Sequence, residues 1–354
     1  MKIALDALGG DHAPDVNVDG AIEAARELGI STMLVGQKER IEPLLRARGA
    51  AGLPIEIVDA SEVIGMDESP VEAVRKKRDS SLRVCARLVK SGSAVAMVSA
   101  GNTGATLAAA KLVIGTVAGV DRPALASILP NPRGFAILLD VGANVTVKST
   151  HLREFAVMGH FYSQIILGHE NPRIGLMSIG EEEGKGNDLV REAFVVLKET
   201  GLNFIGNCEG RDVFGGTVDV IVTDGFTGNV ILKVSESLAE MIKGVLKEEL
   251  VRTPVRKLGA LLSRGAFTGL MARLDYSEYG GAPLLGLKGG CIVCHGRSSP
   301  KAIKNAIRVA RDFVAAGIPE KVAEKIADLH RKEEAYEKTG GEEPSRKMEQ
   351  PKPA

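Results

Sequence analysis

Short apolar runs alternate along the chain with longer stretches whose apolar residues recur at helical spacing. Residues 3–7 (IALDA) form the first run and end at Gly-Gly-Asp. Residues 18–28 set Ile22, Ala25 and Leu28 on one helical face. STMLVG (31–36) and IEIVDA (55–60) read as strands. Residues 70–90 carry Val71, Val74, Leu82, Val84, Leu88 and Val89 among many basic residues, which predicts a solvated helix. AVAMVSA (94–100) leads through a glycine-rich loop to a helix over 105–114. ALASILP (124–130) and FAILLDVG (135–142) are two further short runs. Helices over 151–167 and 188–199 alternate with RIGLMSIG (173–180), NFIGN (203–207) and DVIVTDG (219–225). Short apolar strands separated by helices predict an α/β fold with a mainly parallel sheet, helices on both faces and right-handed crossovers.

In such a sheet, ligands bind beyond the carboxyl ends of the strands. Five clusters of glycine and polar residues follow the predicted strands: GGD (9–11), SAGNTG (99–104), DVGAN (140–144), GEEEGKGN (180–187) and DGFTGN (224–229). A single cluster is an ordinary turn. Five after successive parallel strands predict one shared site along one edge.

Residues 234–250 differ. Val234, Leu238, Met241, Ile242, Val245 and Leu246 make an amphipathic helix. After a break at Thr253-Pro254, residues 251–274 hold five basic residues and no acidic one. Leu258, Leu261, Leu262 and Phe267 supply the apolar side. The expected organisation is a single α/β catalytic unit over 1–335 with a helical hairpin inserted at 234–280. The hairpin serves as a subunit interface, a contact with an anionic bilayer, or both. Residues 336–354 are poor in apolar side chains and predict a disordered tail.

Composition narrows the function. Among 354 residues, 44% are hydrophobic, 25% charged, and the net charge is zero. A whole-molecule basic footprint for nucleic acid is absent, and with no Trp and four Tyr a base-stacking platform is not expected. The N-terminus shows no secretory signal, and residues 91–110, the longest uncharged run, are broken by glycines and read poorly as a membrane span. A cytoplasmic location follows. Cys291-Ile292-Val293-Cys294-His295 has the spacing of covalent haem attachment. Without an export signal, it reads instead as a buried strand with cysteine as a small hydrophobe.

No Walker A, dinucleotide or nucleophile-elbow motif is present, so NAD and serine chemistry are unsupported. The Glu181, Glu182, Glu183 and Asp188 carboxylates read as a solvated loop, because adjacent side chains point different ways. Lys185, between two glycines, presents an ammonium to an anion. Asn229, at a strand-to-helix corner, offers an amide to an oxyanion. His295 ends an apolar run and points toward the same edge. The loops at 9–11 and 101–104 offer backbone N–H groups.

Longer motifs then carry a resemblance. LDALGGDHAP (5–14), SAGNTGA (99–105), DRPALA (121–126), LDVGAN (139–144), SIGEEEGKGN (178–187), EGRD (209–212), VTDGFTGNVILK (222–233), LDYSEYGGAPLLG (274–286) and HGRSSPKAI (295–303) occur in order over nearly the whole chain. Together they resemble the PlsX family of bacterial phospholipid synthesis. Cys291 and Cys294 stand where the family looks aliphatic or small.

The resemblance implies transfer of a long-chain acyl group from acyl carrier protein to inorganic phosphate, giving acyl phosphate without a cofactor. It implies a three-layer α/β/α sandwich similar to phosphotransacetylases and isocitrate dehydrogenases, a homodimer, and peripheral membrane association. Phosphate is already an anionic nucleophile, so the site needs only to hold it and to stabilise the tetrahedral oxyanion. Lys185 is assigned to neutralise phosphate or oxyanion, and Asn229 to donate to the reacting centre. His295 is assigned to donate to phosphate or to protonate the leaving thiolate. Asp6, Gly9, Gly10, Asp11, Ser99, Gly101, Asn102, Thr103, Gly104 and Asn144 are assigned to phosphate binding. The basic residues Arg75, Lys76, Lys77 and Arg78, or the hairpin base, are candidates to receive the acidic carrier protein. The rivals are a phosphotransacetylase-like enzyme using coenzyme A thioesters, a decarboxylating dehydrogenase, and a membrane-surface scaffold.

Overall fold

The computed structural model describes residues 1–274 and 280–338. The strands are β1 (Lys2–Asp6), β2 (Ser31–Gly36), β3 (Ile55–Asp59), β4 (Ala96–Ser99), β5 (Ala124–Asn131), β6 (Gly134–Leu139), β7 (Ile174–Met177), β8 (Phe204–Cys208), β9 (Val220–Val222), β10 (Ala282–Leu285) and β11 (Gly290–Val293). They form one sheet in the order β3-β2-β1-β4-β11-β10-β5-β6-β9-β7-β8. The helices are α1 (Asp15–Leu28), α2 (Lys38–Ala47), α3 (Pro70–Lys76), α4 (Ser81–Lys90), α5 (Thr103–Ala109), α6 (Ser149–Ile166), α7 (Asp188–Lys198), α8 (Gly225–Val251), α9 (Pro254–Leu262), α10 (Arg264–Leu274), α11 (Pro300–Ala315) and α12 (Ile318–Lys338). The predicted tail begins within α12, whose residues 336–338 are helical; residues 339–354 lie outside the described part.

Side-chain alternation makes three layers. One face of the sheet is a continuous core through Met33, Met97, Cys291, Leu284, Leu125, Leu138 and Ile221, covered by α3, α4, α5 and the first turns of α8. The other face divides in two. Leu5, Leu34, Val98 and Ile292 pack under α1, α2 and α11. Leu139, Val220, Leu176 and Leu285 pack under α6, α7 and α12. Each fully buried Leu or Val contributes about 1.5–3 kcal/mol. Both faces are buried, which is why the strands are apolar runs and not alternating ones.

Strand polarity departs from the sequence reading. β1, β2, β3, β4 and β11 are mutually parallel, as are β6, β9, β7 and β8. Between these halves lie three antiparallel pairings, β11–β10, β10–β5 and β5–β6. The β5–β6 reversal is a hairpin in which Asn131 faces Gly134 across Pro132 and Arg133, and Asn131 Oδ1 accepts the Arg133 N–H. Three reversals leave the second half running opposite to the first. The five loop clusters therefore do not share one edge: those after β1 and β4 leave one set of strand ends, those after β6, β7 and β9 the other.

The predicted helix over 70–90 is two helices, and the second is not solvated. Lys77 leaves helical geometry, and its ammonium is held by the Val63 carbonyl and the Glu68 carboxylate. α4 then buries Leu82, Val84, Cys85, Ala86 and Val89. The predicted 105–114 helix widens after Ala109 into a π turn that ends at Gly115.

Candidate active site

The first loop group is built around Asp6. Its carboxylate is buried at the end of β1 and accepts the hydroxyls of Ser81 and Ser99, both at 2.7 Å, and the N–H of Leu8. Burial raises its pKa against those hydrogen bonds. Asn17, from α1, donates to the carbonyls of Asp6, Ala7 and Gly9. Gly9 lies so close to Gly101 that a Cβ there would sit 2.5 Å from the Asp6 carboxylate and 2.8 Å from the Gly101 nitrogen. Asp11 N–H donates to the Gly296 carbonyl, which ties the GGD loop to the end of β11 beside His295.

Much of this group's donor capacity is turned inward. Gly101 N–H goes to Ser99 Oγ. The Asn102 side chain caps α5 through Ala105 N–H and donates to the carbonyls of Met66 and Glu68. The side chains of Asp6, Ser99 and Asn102 thus hold the loops together. Gly10, Asp11, Thr103 and Gly104 stay at or near the surface. His295 is exposed, and its Nδ1 accepts the Arg297 N–H at 3.1 Å.

The second group is built around Asp140, fully buried at the end of β6. Its Oδ1 accepts the N–H groups of Leu125, Gly142 and Ala143; its Oδ2 accepts those of Asn144 N and Nδ2. Burial again raises the pKa. Asn144 spends its second amide hydrogen on the Pro123 carbonyl, and its own carbonyl accepts Gly225 N–H. It is a strut between β5, β6 and α8, with both side-chain amide hydrogens spent inside the fold.

The first turn of α8 seats against this strut. Asp224 caps the helix by accepting the N–H and hydroxyl of Thr227. A Cβ on Gly228 would run directly into the Asp140 carbonyl oxygen. The next residue, Asn229, is exposed beside Gly142, 3.7 Å from where a Cβ on that glycine would stand. Its amide makes no hydrogen bond among the described residues.

Lys185 lies on the β7–α7 loop. Asn207 Nδ2, nine-tenths buried in β8, donates to the Glu182 carbonyl at 2.8 Å; Lys185 N–H donates to the same carbonyl at 3.0 Å. Neighbouring carboxylates are taken: Glu181 by Arg211, Glu183 by Lys198, Asp188 by Arg191. The Lys185 ammonium is exposed and has no carboxylate partner among the described residues.

β6, β9 and β7 are successive neighbours, so the loops carrying Asp140, Asn229 and Lys185 emerge side by side. His295 emerges from the other set of strand ends.

Sequence reasoning quoted the DVGAN loop without singling out its aspartate. The signal was available, because Leu-Asp followed closely by Gly occurs at both 5–9 and 139–142. It also missed Ser81 and Asn17, which sit in ordinary helical sequence.

The hairpin residues Leu258, Leu261 and Leu262 are exposed, Leu262 at 81%. Phe267 is half-buried and lines a groove with Leu246, Leu250 and Ala260. Arg252 and Arg256 both pair with Glu249, which removes two cations from the basic set. Cys291 and Cys294 face opposite sides of the sheet, in different cores, so the two thiols could not attach to one porphyrin. Burial pushes both up to about 12.

Comparisons with known proteins agree with this architecture. The family described as "Fatty acid synthesis protein" matches residues 1–321. A protein named phosphate acyltransferase from Geotalea uraniireducens (strain Rf4) is 52% identical over 328 residues, 93% of this chain and 95% of the relative. One from Heliobacterium modesticaldum (strain ATCC 51547 / Ice1) is 54% identical over 332 residues, 92% and 99% of the two chains. Among solved structures, a phosphotransacetylase from Streptococcus pyogenes superposes with a TM-score of 0.59 at 20% identity, covering 89% of this chain and 94% of its own. The EutD phosphotransacetylase from Staphylococcus aureus gives 0.56 at 17%, covering 88% and 94%. The structural likenesses establish the three-layer α/β/α fold; the sequence matches establish that the chain belongs to the PlsX family of fatty acid synthesis proteins.

Proposed function

We propose that the protein transfers a long-chain acyl group from acyl carrier protein to inorganic phosphate, releasing acyl phosphate and the carrier thiol. The observation that carries this reading is the pair of unspent groups on neighbouring strand ends, the Lys185 ammonium and the Asn229 amide, beside a loop whose other donors are locked onto Asp140. The names of the relatives supply the acceptor, phosphate, and the reaction class.

A phosphate oxygen attacks the thioester carbonyl carbon, and the carbonyl electron pair moves onto oxygen. Lys185 offsets the gathered negative charge, and Asn229 donates to the reacting centre. The oxyanion collapses, the C–S bond breaks, and the leaving thiolate takes a proton to become the carrier thiol. His295, on the other set of strand ends, is the candidate proton source. Phosphate needs no deprotonation by the protein, so no buried general base is called for.

We also propose that α8–α10 form the homodimer contact and a peripheral membrane anchor on a cytoplasmic enzyme. Val234, Leu238, Met241 and Val245 are exposed along α8, and Leu258, Leu261 and Leu262 along α9. No described helix is long and apolar enough to cross a membrane.

The test is an acyl transfer assay with long-chain acyl carrier protein and phosphate, without added metal or nucleotide. Phosphate-dependent release of carrier thiol is expected. Lys185→Ala and Asn229→Ala should each lower turnover about 100-fold or more with melting temperature unchanged. Transfer from acyl coenzyme A and not from the carrier protein would favour the phosphotransacetylase-like alternative. Replacing Leu258, Leu261 and Leu262 by Ser should abolish flotation with anionic vesicles while soluble turnover persists; retained flotation rejects the anchor.

A further inference from the structure

One more positive group stands at the strand ends that carry Asn229 and Lys185, on a backbone fixed from several sides. Residues 121–125 enter β5 beside the end of β6. Asp121 N–H donates to the Glu154 carboxylate at 3.0 Å, and Arg122 N–H donates to the same buried carboxylate. The Asp121 carboxylate pairs with buried His151 at 2.8 Å. The Pro123 carbonyl accepts Asn144 Nδ2 at 2.8 Å, and Leu125 N–H reaches Asp140 Oδ1 at 3.2 Å. Two elements therefore clamp this segment: α6 through Glu154 and His151, and the loop after β6 through Asn144 and Asp140.

What the clamp leaves unused is the Arg122 guanidinium. It is half-buried and makes no hydrogen bond or ion pair among the described residues. The contact with His151 lowers the Asp121 carboxyl most, and the charges of Lys111 and then Arg122 add smaller shares. A fixed backbone presenting an unspent fork of donors is the arrangement that binds a phosphoryl group bidentately.

Position favours the same ligand. β5 is next to β6, and β6 is next to β9, so Arg122 starts about 10 Å from the strand that leads to Asn229. Lys185 follows β7, on the other side of β9. Arg122 and Lys185 thus flank Asn229. We infer that Arg122 is a second cation of the site and binds phosphoryl oxygens from the side opposite Lys185. The inference rests on the acyl-transfer reading above. The phosphoryl group is that of the acceptor, inorganic phosphate, or the phosphodiester of the donor's pantetheine arm.

The experiment uses the full-length protein. Initial rates of wild type, Arg122→Ala and Arg122→Lys are measured against phosphate at saturating acyl donor, and against donor at saturating phosphate. The expected result for Arg122→Ala is a KM for phosphate raised about 10-fold or more, an unchanged donor KM, and partial rescue by added guanidinium. A raised donor KM alone assigns the guanidinium to the pantetheine phosphodiester. Both constants unchanged in a folded variant overturns the inference. If Arg122→Ala does not fold, Arg122→Lys decides: its charge is kept and its fork lost, so a phosphate KM equal to wild type also overturns it. A wild-type protein without phosphate-dependent transfer would instead sink the reading of the site. Arg122 would then be judged by calorimetric titration with inorganic phosphate, where equal binding by wild type and Arg122→Ala rejects it.

Discussion

Asp6 and Asp140 end corresponding strands of the two half-sheets and solve one problem by different chemistry. Each is a buried carboxylate that folds a glycine loop back over its strand end. Asp6 draws on two serine hydroxyls, Ser81 from α4 and Ser99 from β4, together with its own loop. Asp140 draws on the N–H groups of its own loop, on Leu125 N–H and on one side-chain amide. A hydroxyl both donates and accepts, and it rotates. A backbone N–H only donates, and it is fixed. The first half can therefore adapt to a changed acid, while the second cannot.

The largest effect expected from this contrast is at the glycines packed on the two acids. Gly228→Ala drives a Cβ into the Asp140 carbonyl, a backbone atom, and should cost several kcal/mol or prevent folding. Gly9→Ala meets the Asp6 carboxylate at 2.5 Å and the Gly101 backbone at 2.8 Å, so it must also shift structure, but with one neighbour a side chain. Urea denaturation of both variants checks the order; equal losses would break the comparison.

Next come the acids themselves. Asp140→Asn places an NH2 against fixed donors and should cost about 2–4 kcal/mol. In Asp6→Asn, Ser81 or Ser99 can turn to accept, and removing a buried charge offsets part of the loss, so about 1 kcal/mol is expected. A larger loss at Asp6 than at Asp140 would reverse the argument.

The last effect is a pH dependence in the second half. Burial raises Glu154 from 4.5 to about 7. A carboxyl raised on folding binds more protons in the native state, so its contribution to stability falls as pH rises from about 4.5 to 7. The amplitude is at most about 3 kcal/mol. Glu154→Gln should flatten that slope between pH 5 and 8 in thermal denaturation. An unchanged slope would remove Glu154 as its source.

The strands and the glycine loops were legible because both faces of the sheet are buried and apolar runs punctuated by Gly and Asp are a strong signal. Polarity was not. The Asn131-Pro132-Arg133-Gly134 turn announces a hairpin, but β10 was not singled out as a strand, and β11, read as a buried strand from its cysteines, carries nothing local that fixes its direction against β10. Missing those reversals merged two loop groups into one. Lys185 and Asn229 stood out because their neighbours are glycines or caps. Arg122 did not, since nothing local distinguishes it; its setting depends on α6, thirty residues away in sequence. The internal hydrogen bonds of Asn144 and Asn102 were not legible for the opposite reason. Polar residues in glycine loops resemble ligand donors until the backbone groups they satisfy can be counted.

All four cysteines of the chain are buried, and each thiol is raised above its ordinary value by that burial. The folded surface is thus chemically silent toward reagents that colour free sulfhydryls. Under the proposed reaction, a colorimetric sulfhydryl reading taken during turnover counts the released thiol without a blank from the enzyme. The same reagent applied to idle protein becomes a reporter of global opening.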